Sequence, residues 1–333
     1  MARRRCQNNP LRERPDVREL IDEYLETCGH SSEADVLAAT RKALGHRHYL
    51  LVAKAAELAG DRLLYDCESD LAAAYARFLD DPIKRDPHCT AKGAIARALV
   101  ALDYPNADFY LAGIRYRQHE PVWGGTEDRA VDLRSTCAAG LAATSYPRAL
   151  IALVGLLHDP EPHARSGAIR AIACAEPVAA EAVLRSKALT GDQEPEVIGD
   201  CFAALLRVSP EEAPSFVAGF LADDDPQRSG LAALALGESG LEAALTLLRC
   251  RWDDQPFKRD EDRLLLRAAV LHRSDAAFDW LIEVVERGDR TSAELVLTEL
   301  AAYRSNRRLR ERLRTAVAGR DDPLLSAGFE NSL

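Results

Sequence analysis

Apolar residues recur along this chain in short sets that share one spacing. After Arg165 come Ala168 and Ile169, then Ala171 and Ile172, which lie three, four, six and seven positions on. That spacing lays four apolar side chains on one face of a helix. The same spacing follows Lys92 (Ile95, Ala96, Ala98, Leu99) and Arg134 (Cys137, Ala138, Gly140, Leu141). Weaker copies follow Ile198 (Cys201, Phe202, Ala204, Leu205) and Ser229 (Ala232, Ala233, Ala235, Leu236). Other stretches with amphipathic spacing, at 70–79, 146–158, 178–189, 211–222, 241–252 and 276–287, predict an outer helix to accompany the inner ones. Copies about 30–40 residues apart predict stacked helix pairs, each burying its apolar face against the next.

Each strong copy opens on an aspartate six residues before a cation: Asp86 and Lys92, Asp128 and Arg134, Asp159 and Arg165. Asp192 and Asp223 open the weaker copies, where Ile198 and Ser229 replace the cation and Arg228 stands one place early. Asp-Pro occurs at 81–82, 86–87, 159–160, 225–226 and 322–323. An Asp side chain accepts from the free N–H groups of a following helix, and Pro suits the first helical position. These dipeptides therefore predict capped helix starts.

The interval from Asp86 to Asp128 is 42 residues, against 31 to 33 for the next three. The extra length falls between Tyr116 and Glu127, where Pro121 and Gly124-Gly125 interrupt helix patterning and predict a structured loop over 117–127. Insertions in helical arrays emerge on one face, often the binding face. Arg115, Arg117, His119, Glu120, Trp123 and Arg129 are accordingly the candidate binding residues, because Trp and Arg dominate binding hot spots. The competing reading packs Trp123 back onto the helices as a pin and pairs Glu120 with Arg129.

The turn Asp, the basic residue six later and the small apolar face together resemble the HEAT repeats, in the short variant also called phycocyanobilin-lyase-like. The resemblance covers about residues 68–290. It implies an all-α fold, a right-handed α-solenoid of about seven to eight antiparallel helix pairs. It also implies that Asp86, Lys92, Asp128, Arg134, Asp159 and Arg165 form a structural ladder between repeats, interrupted at Ile198 and Ser229. The organisation expected is a polar Arg-rich segment at 1–20, capping helices at 21–67 and the array at 68–303. A capping helix and tail at 304–333 complete it, with residues 321–333 as a short turn and tail.

Composition agrees with helix. The 333 residues are 47% hydrophobic but only 6% aromatic, and Ala and Leu dominate, so little or no strand is expected. The net charge of −10 weighs against a general nucleic-acid binder. Arginines nevertheless crowd both ends, at 3–5, 12, 14 and 18 and again from Arg304 to Arg314, as solvated caps or as a grip on an anionic partner. The eight cysteines contain no CxxC pair, and Cys89, Cys137, Cys174 and Cys201 fall in helical stretches where a thiol acts as a small hydrophobe. The expectation is reduced thiols, no zinc and a cytoplasmic location. No apolar run is long enough for a membrane span and no signal peptide is legible.

The function expected is a non-enzymatic protein–protein interaction scaffold, binding on the concave face of the array and on the 115–134 segment. Its partner would be a protein with basic patches, and no metal, cofactor or catalytic residue is assigned. The alternative is a HEAT-type enzyme or nucleic-acid-processing protein, like the bilin lyases or the alkylation-repeat DNA glycosylases. His119-Glu120 also invites comparison with the HEAT-like deoxyhypusine hydroxylases. Their di-iron centre takes several His-Glu pairs, and this chain has one.

Overall fold

The computed structural model describes residues 16–30, 32–254 and 263–332. It forms two compact units, one up to Ala149 and one from Leu150. The first holds α1 (Val17–His30), α2 (Glu33–Leu44), α3 (Tyr49–Asp61), α4 (Glu68–Arg77), the single turn α5 (Pro82–Arg85), α6 (Thr90–Ala101) and α7 (Ala107–Gly113). Two short strands, β1 (His119–Val122) and β2 (Gly125–Asp128), then lead into α8 (Val131–Ala143). Helices are the regular elements among the described residues of the second unit. It runs α9 (Ala149–Leu156), α10 (Pro162–Ile172), α11 (Pro177–Thr190), α12 (Pro195–Val208), α13 (Ala213–Ala218) and α14 (Pro226–Glu238). It continues with α15 (Glu242–Asp253), α16 (Leu264–His272), α17 (Asp275–Arg287), α18 (Arg290–Leu300), α19 (Arg307–Ala318) and α20 (Pro323–Ser332).

Helices alternate between two rows inside each unit. In the first, α3 packs on α6 and α6 on α8, while α2 packs on α4 and α7 covers α8. In the second, one row runs α10, α12, α14, α16, α18, α20, and α13 packs on α15 and α17 on α19 in the other. The rows follow from the sequence spacing. The four apolar positions after Lys92, Arg134 and Arg165 are the buried faces of α6, α8 and α10, apart from Gly140, which is buried without a side chain. Each fully buried Leu or Ile there contributes about 2 kcal/mol, and the alanines let helix axes come close. Gly237 of α14 marks a close approach of two backbones, because a methyl at that position would run into the Ala268 carbonyl of α16.

Capping by Asp-Pro occurs at two of its five sites. Asp225 accepts from Gln227 N with Pro226 in the first turn of α14, and Asp322 accepts from Leu324 N and Leu325 N at the start of α20. At Asp81 the backbone is left-handed and the side chain caps nothing. Asp86 and Asp159 lie further upstream, where Asp86 accepts from Ala91 N and Lys92 N and Asp159 from Glu161 N. Asp322 also explains why residues 323–332, expected as a tail, are helical, since the helix it starts buries Leu325 and Phe329. At the other end, α1 begins at Val17, inside the segment expected to be a polar tail; Arg3 to Arg14 lie outside the described residues.

Arg165 ties its own turn to the next one. It donates to the carbonyls of Asp159 and Pro160, 2.9 and 3.0 Å away, and grips the Asp192 carboxylate of the next turn through Nε (2.9 Å) and Nη2 (2.5 Å). Lys187 adds a second cation to Asp192 at 2.6 Å. The ladder is thus not interrupted where Ile198 replaces the cation, because Arg165 and Lys187 reach the same carboxylate. At Asp223 the early Arg228 pairs at 3.2 Å, so that turn keeps its cation too. Burial pushes the Asp192 carboxyl up, but the hydrogen bonds from Arg165 and Lys187 outweigh it and hold the group down at about 2.

The seven described cysteines are free thiols. Cys89, Cys137 and Cys201 are buried, and burial pushes Cys89 and Cys201 up to about 12. Cys174, expected on a buried helical face, is exposed because α10 ends at Ile172. Among the C-terminal arginines, Arg312 pairs with Asp279 and Arg307 with Glu311, while Arg314 lies over the Phe329 ring.

Two outcomes test this packing. Gly237→Ala should destabilise the protein by about 1–3 kcal/mol in thermal or urea unfolding, since the obstructing atom is backbone and cannot rotate away. Asp192 has a folded-state pKa below the ordinary value near 4, so its contribution is complete above about pH 4 and fades as the pH falls toward 2. Urea unfolding against pH should show that loss, and Asp192→Asn should flatten the curve in this window.

Candidate functional site

The lengthened interval is occupied by a β-hairpin. β1 and β2 pair antiparallel, with His119 opposite Asp128, Glu120 opposite Glu127, Pro121 opposite Thr126 and Val122 opposite Gly125. Trp123 and Gly124 form the two-residue turn. Gly124 has φ +89°, a left-handed value that glycine adopts without strain. Pro121 fits because, among the described residues, β1 has a partner strand on one side alone.

A two-stranded ribbon is marginal by itself, and this one is held by a buried polar network at its base. The Gln118 side chain stands at the centre. Its amide donates to the Asp86 carbonyl (2.9 Å) and to Glu120 Oε1 (2.7 Å), and its oxygen accepts from the Tyr116 hydroxyl (2.9 Å). Glu120 is only 6% exposed, and its Oε1 also accepts from the His88 backbone N–H at 2.7 Å. His88 Nδ1 lies 3.5 Å from the other carboxylate oxygen.

Glu120 therefore fastens the hairpin to a strained turn. His88 and Cys89 both sit in the left-handed region, at φ 60° and 56°, a conformation that costs about 1–2 kcal/mol per residue. The hydrogen bonds from the His88 N–H to Glu120 and from the Gln118 side chain to the Asp86 carbonyl hold that turn in place.

Two buried ion pairs frame the network. Lys92 and Arg134 are both fully buried. Lys92 Nζ donates to Asp86 Oδ2 (2.8 Å) and the Phe78 carbonyl (3.3 Å), and it lies 5.6 Å from the Tyr116 ring centre. Arg134 Nη1 donates to Asp128 Oδ2 (2.6 Å) and the Tyr116 carbonyl (3.1 Å). Asp128 Oδ1 accepts from Gln118 N and Ala130 N, so one carboxylate ties the entry of β1 to the start of α8. Burial pushes the Asp128 carboxyl up, but those two amides and the Arg134 guanidinium outweigh it and hold it below the usual carboxylate range.

The candidate residues divide into two groups. Glu120 belongs to the buried base with Asp86, Lys92, Asp128 and Arg134, and Arg117 Nε approaches Asp128 at 3.8 Å. Trp123, Arg115 and His119 face solvent. Trp123 is 103% exposed, so it is not a pin. Arg129 pairs with Glu127 at 2.8 Å rather than with Glu120. Asp159 and Arg165 belong to the second unit. Gln118, Tyr116 and His88 are missing from the sequence-derived set. Their roles depend on contacts up to 32 residues away, which no local pattern announces.

Among the described residues no cluster of His, Cys, Asp or Glu is arranged to hold a metal, and no helix is long and apolar enough to cross a membrane. The hairpin base makes its own test. Glu120→Ala would leave the His88 amide and the Gln118 carboxamide without their acceptor, so unfolding should show a loss of about 1–3 kcal/mol.

No family model and no curated protein matches this chain. Among solved structures, the complex of CpcE and CpcF of phycocyanin lyase from Nostoc sp. PCC7120 aligns at 14% identity over 95% of this chain and 99% of that one, with a TM-score of 0.33. An engineered protein aligns at 13% identity over 94% of this chain and 97% of its own, with a TM-score of 0.32. Neither likeness, at scores this low, bears on the site.

Proposed function

We propose that the chain is a non-enzymatic protein–protein interaction module, built as a HEAT-type right-handed α-solenoid, and that the hairpin is its recognition element. The carrying observation is the full exposure of Trp123 at the tip of a ribbon whose base is buried and hydrogen-bonded. A large aromatic left in water has no folding benefit, whereas in a partner's pocket it is the commonest kind of hot spot. Its neighbour Val122 is exposed as well and extends the apolar tip. The repeated interval and the two alternating helix rows within each unit support the solenoid reading.

The flank of the hairpin refines the partner's chemistry. Arg115, Arg117 and Arg129 surround the base with His119, and only Glu127 among the exposed hairpin residues opposes them. A pocket that takes Trp123 would therefore be rimmed by carboxylates, even though the acidic chain as a whole favours basic surfaces. An enzymatic role for His119-Glu120 is disfavoured because Glu120 is engaged by His88 and Gln118 and faces inward.

Trp123→Ala decides the matter. Its melting temperature should match the parent's, because the side chain packs on nothing. Capture of the native partner should weaken by about tenfold or more. A variant that captures the same proteins as the parent with equal strength would end the hairpin reading.

A further inference from the structure

A second feature of the first unit runs against the charge of the whole chain. A cleft of about 780 Å³ opens between the α2–α3 turn, the end of α4 and the short α5. Arg47, Arg77, Lys84 and Arg85 line it, and no carboxylate does. In a chain of net charge −10, four cations gathered this way are not a sample of the average surface.

Their present partners leave most of that charge available. Arg47 is exposed and has no ion-pair partner among the described residues. Lys84 and Arg85 meet Asp81 and Asp80 at 3.6 and 3.0 Å, but all four side chains are more than half exposed. Exposed pairs are worth about 0–1 kcal/mol and exchange readily for a stronger anion. Arg77 donates to the Leu44 carbonyl at 2.5 Å, which fixes the side chain and keeps its charge.

The turn adds two imidazole rings and a flat face. His46 Nδ1 accepts from His48 N (3.1 Å), and His48 Nδ1 accepts from Leu50 N (3.3 Å). With each Nδ1 accepting, Nε2 carries the ring proton and each imidazole keeps a donor. Burial, with the Arg47 charge adding to it, holds His46 below its ordinary value. His48 stacks on Tyr49 with centroids 5.2 Å apart and planes 14° from parallel, and both rings line the cleft.

We propose that this cleft binds a nucleoside polyphosphate, with the phosphates on Arg47, Lys84 and Arg85 and the base against the His48–Tyr49 pair. Guanidinium groups suit phosphate oxygens through paired, charge-assisted hydrogen bonds. Aromatic stacking accepts a planar base, and the volume lies in the range of small-ligand sites, about 300–1,000 Å³.

Calorimetric titration of the full chain with ATP, with GTP and with inorganic tripolyphosphate tests this. Saturable binding of a nucleotide is expected, with tripolyphosphate weaker and with affinity falling as salt rises. Arg47→Glu should weaken nucleotide binding by about tenfold or more, and Arg85→Ala should weaken it as well. Tyr49→Ala should remove the advantage of nucleotide over tripolyphosphate. Each variant is compared at equal thermal stability, and Arg47, being exposed, can change without unfolding the chain. Trp123→Ala should bind nucleotide as the parent does, which separates this site from the hairpin. No saturable binding, or parental affinity in Arg47→Glu, would overturn the proposal. Equal affinity for nucleotide and tripolyphosphate in the parent would overturn its nucleoside part.

Discussion

The structure depends on one arrangement of charge: an aspartate in a turn and a cation six residues on, both taken out of water. Lys92 and Arg134 are buried completely, which is costly, and such pairs add little net stability over apolar packing. What they add is direction. In each case the carboxylate collects backbone N–H groups around the start of the inner helix, and the cation collects a carbonyl from the segment before it. Asp86 takes Ala91 N and Lys92 N while Lys92 takes the Phe78 carbonyl. Asp128 takes Gln118 N and Ala130 N while Arg134 takes the Tyr116 carbonyl. Groups that the ends of helices would leave unpaired are satisfied at the point where the chain must reverse. The pair fixes the angle of entry, and the small apolar faces complete the stack.

The hairpin is an elaboration of that arrangement. It emerges between two such turns, and Gln118 bonds to both: its side chain to the Asp86 carbonyl, its amide to Asp128. Its base thus has the rigidity of the pairs that already hold α6 and α8. The left-handed backbone at His88 and Cys89 is tolerated for the same reason, because Glu120 bonds to the strained turn directly. A tip presented from so fixed a base has less freedom to lose on binding, and that lowers the ordering cost of recognition.

How much of this was legible depended on how far each interaction reaches along the chain. The inner helices could be read because the Asp, the cation and the four apolar positions lie within one turn and one helix. The interval that is too long could be read for the same reason, and it holds the hairpin. The hairpin itself reads as a loop in the sequence. Pro121 and Gly124-Gly125 look like breakers, and the alternation over four residues is too short to identify strands. The inward turn of Glu120 was invisible, since its partners are a backbone amide 32 residues earlier and a glutamine with no signature. The ladder at Asp192 shows the opposite error. Loss of the cation at Ile198 looked like an interruption, yet Arg165 and Lys187 supply two cations from elsewhere. A position can lose its local partner when space offers another.

Charge behaves similarly, and this limits what a net value says about partners. Many arginines are consumed by pairs that join neighbouring helix pairs about one repeat apart: Arg170 with Asp200, Arg249 with Glu283, Arg267 with Glu299, Arg290 with Asp322. Such exposed pairs contribute little each, but they pair charges inside the array. Even in the Arg-rich end, Arg312 and Arg307 are matched by Asp279 and Glu311. Other cations stay exposed: Arg115 beside the hairpin, Arg47 at the α2–α3 turn, and Arg62, Arg97 and Arg148 elsewhere in the first unit. A net charge of −10 therefore does not fix the sign of each local surface, because ion pairs between helices consume cations unevenly along the chain.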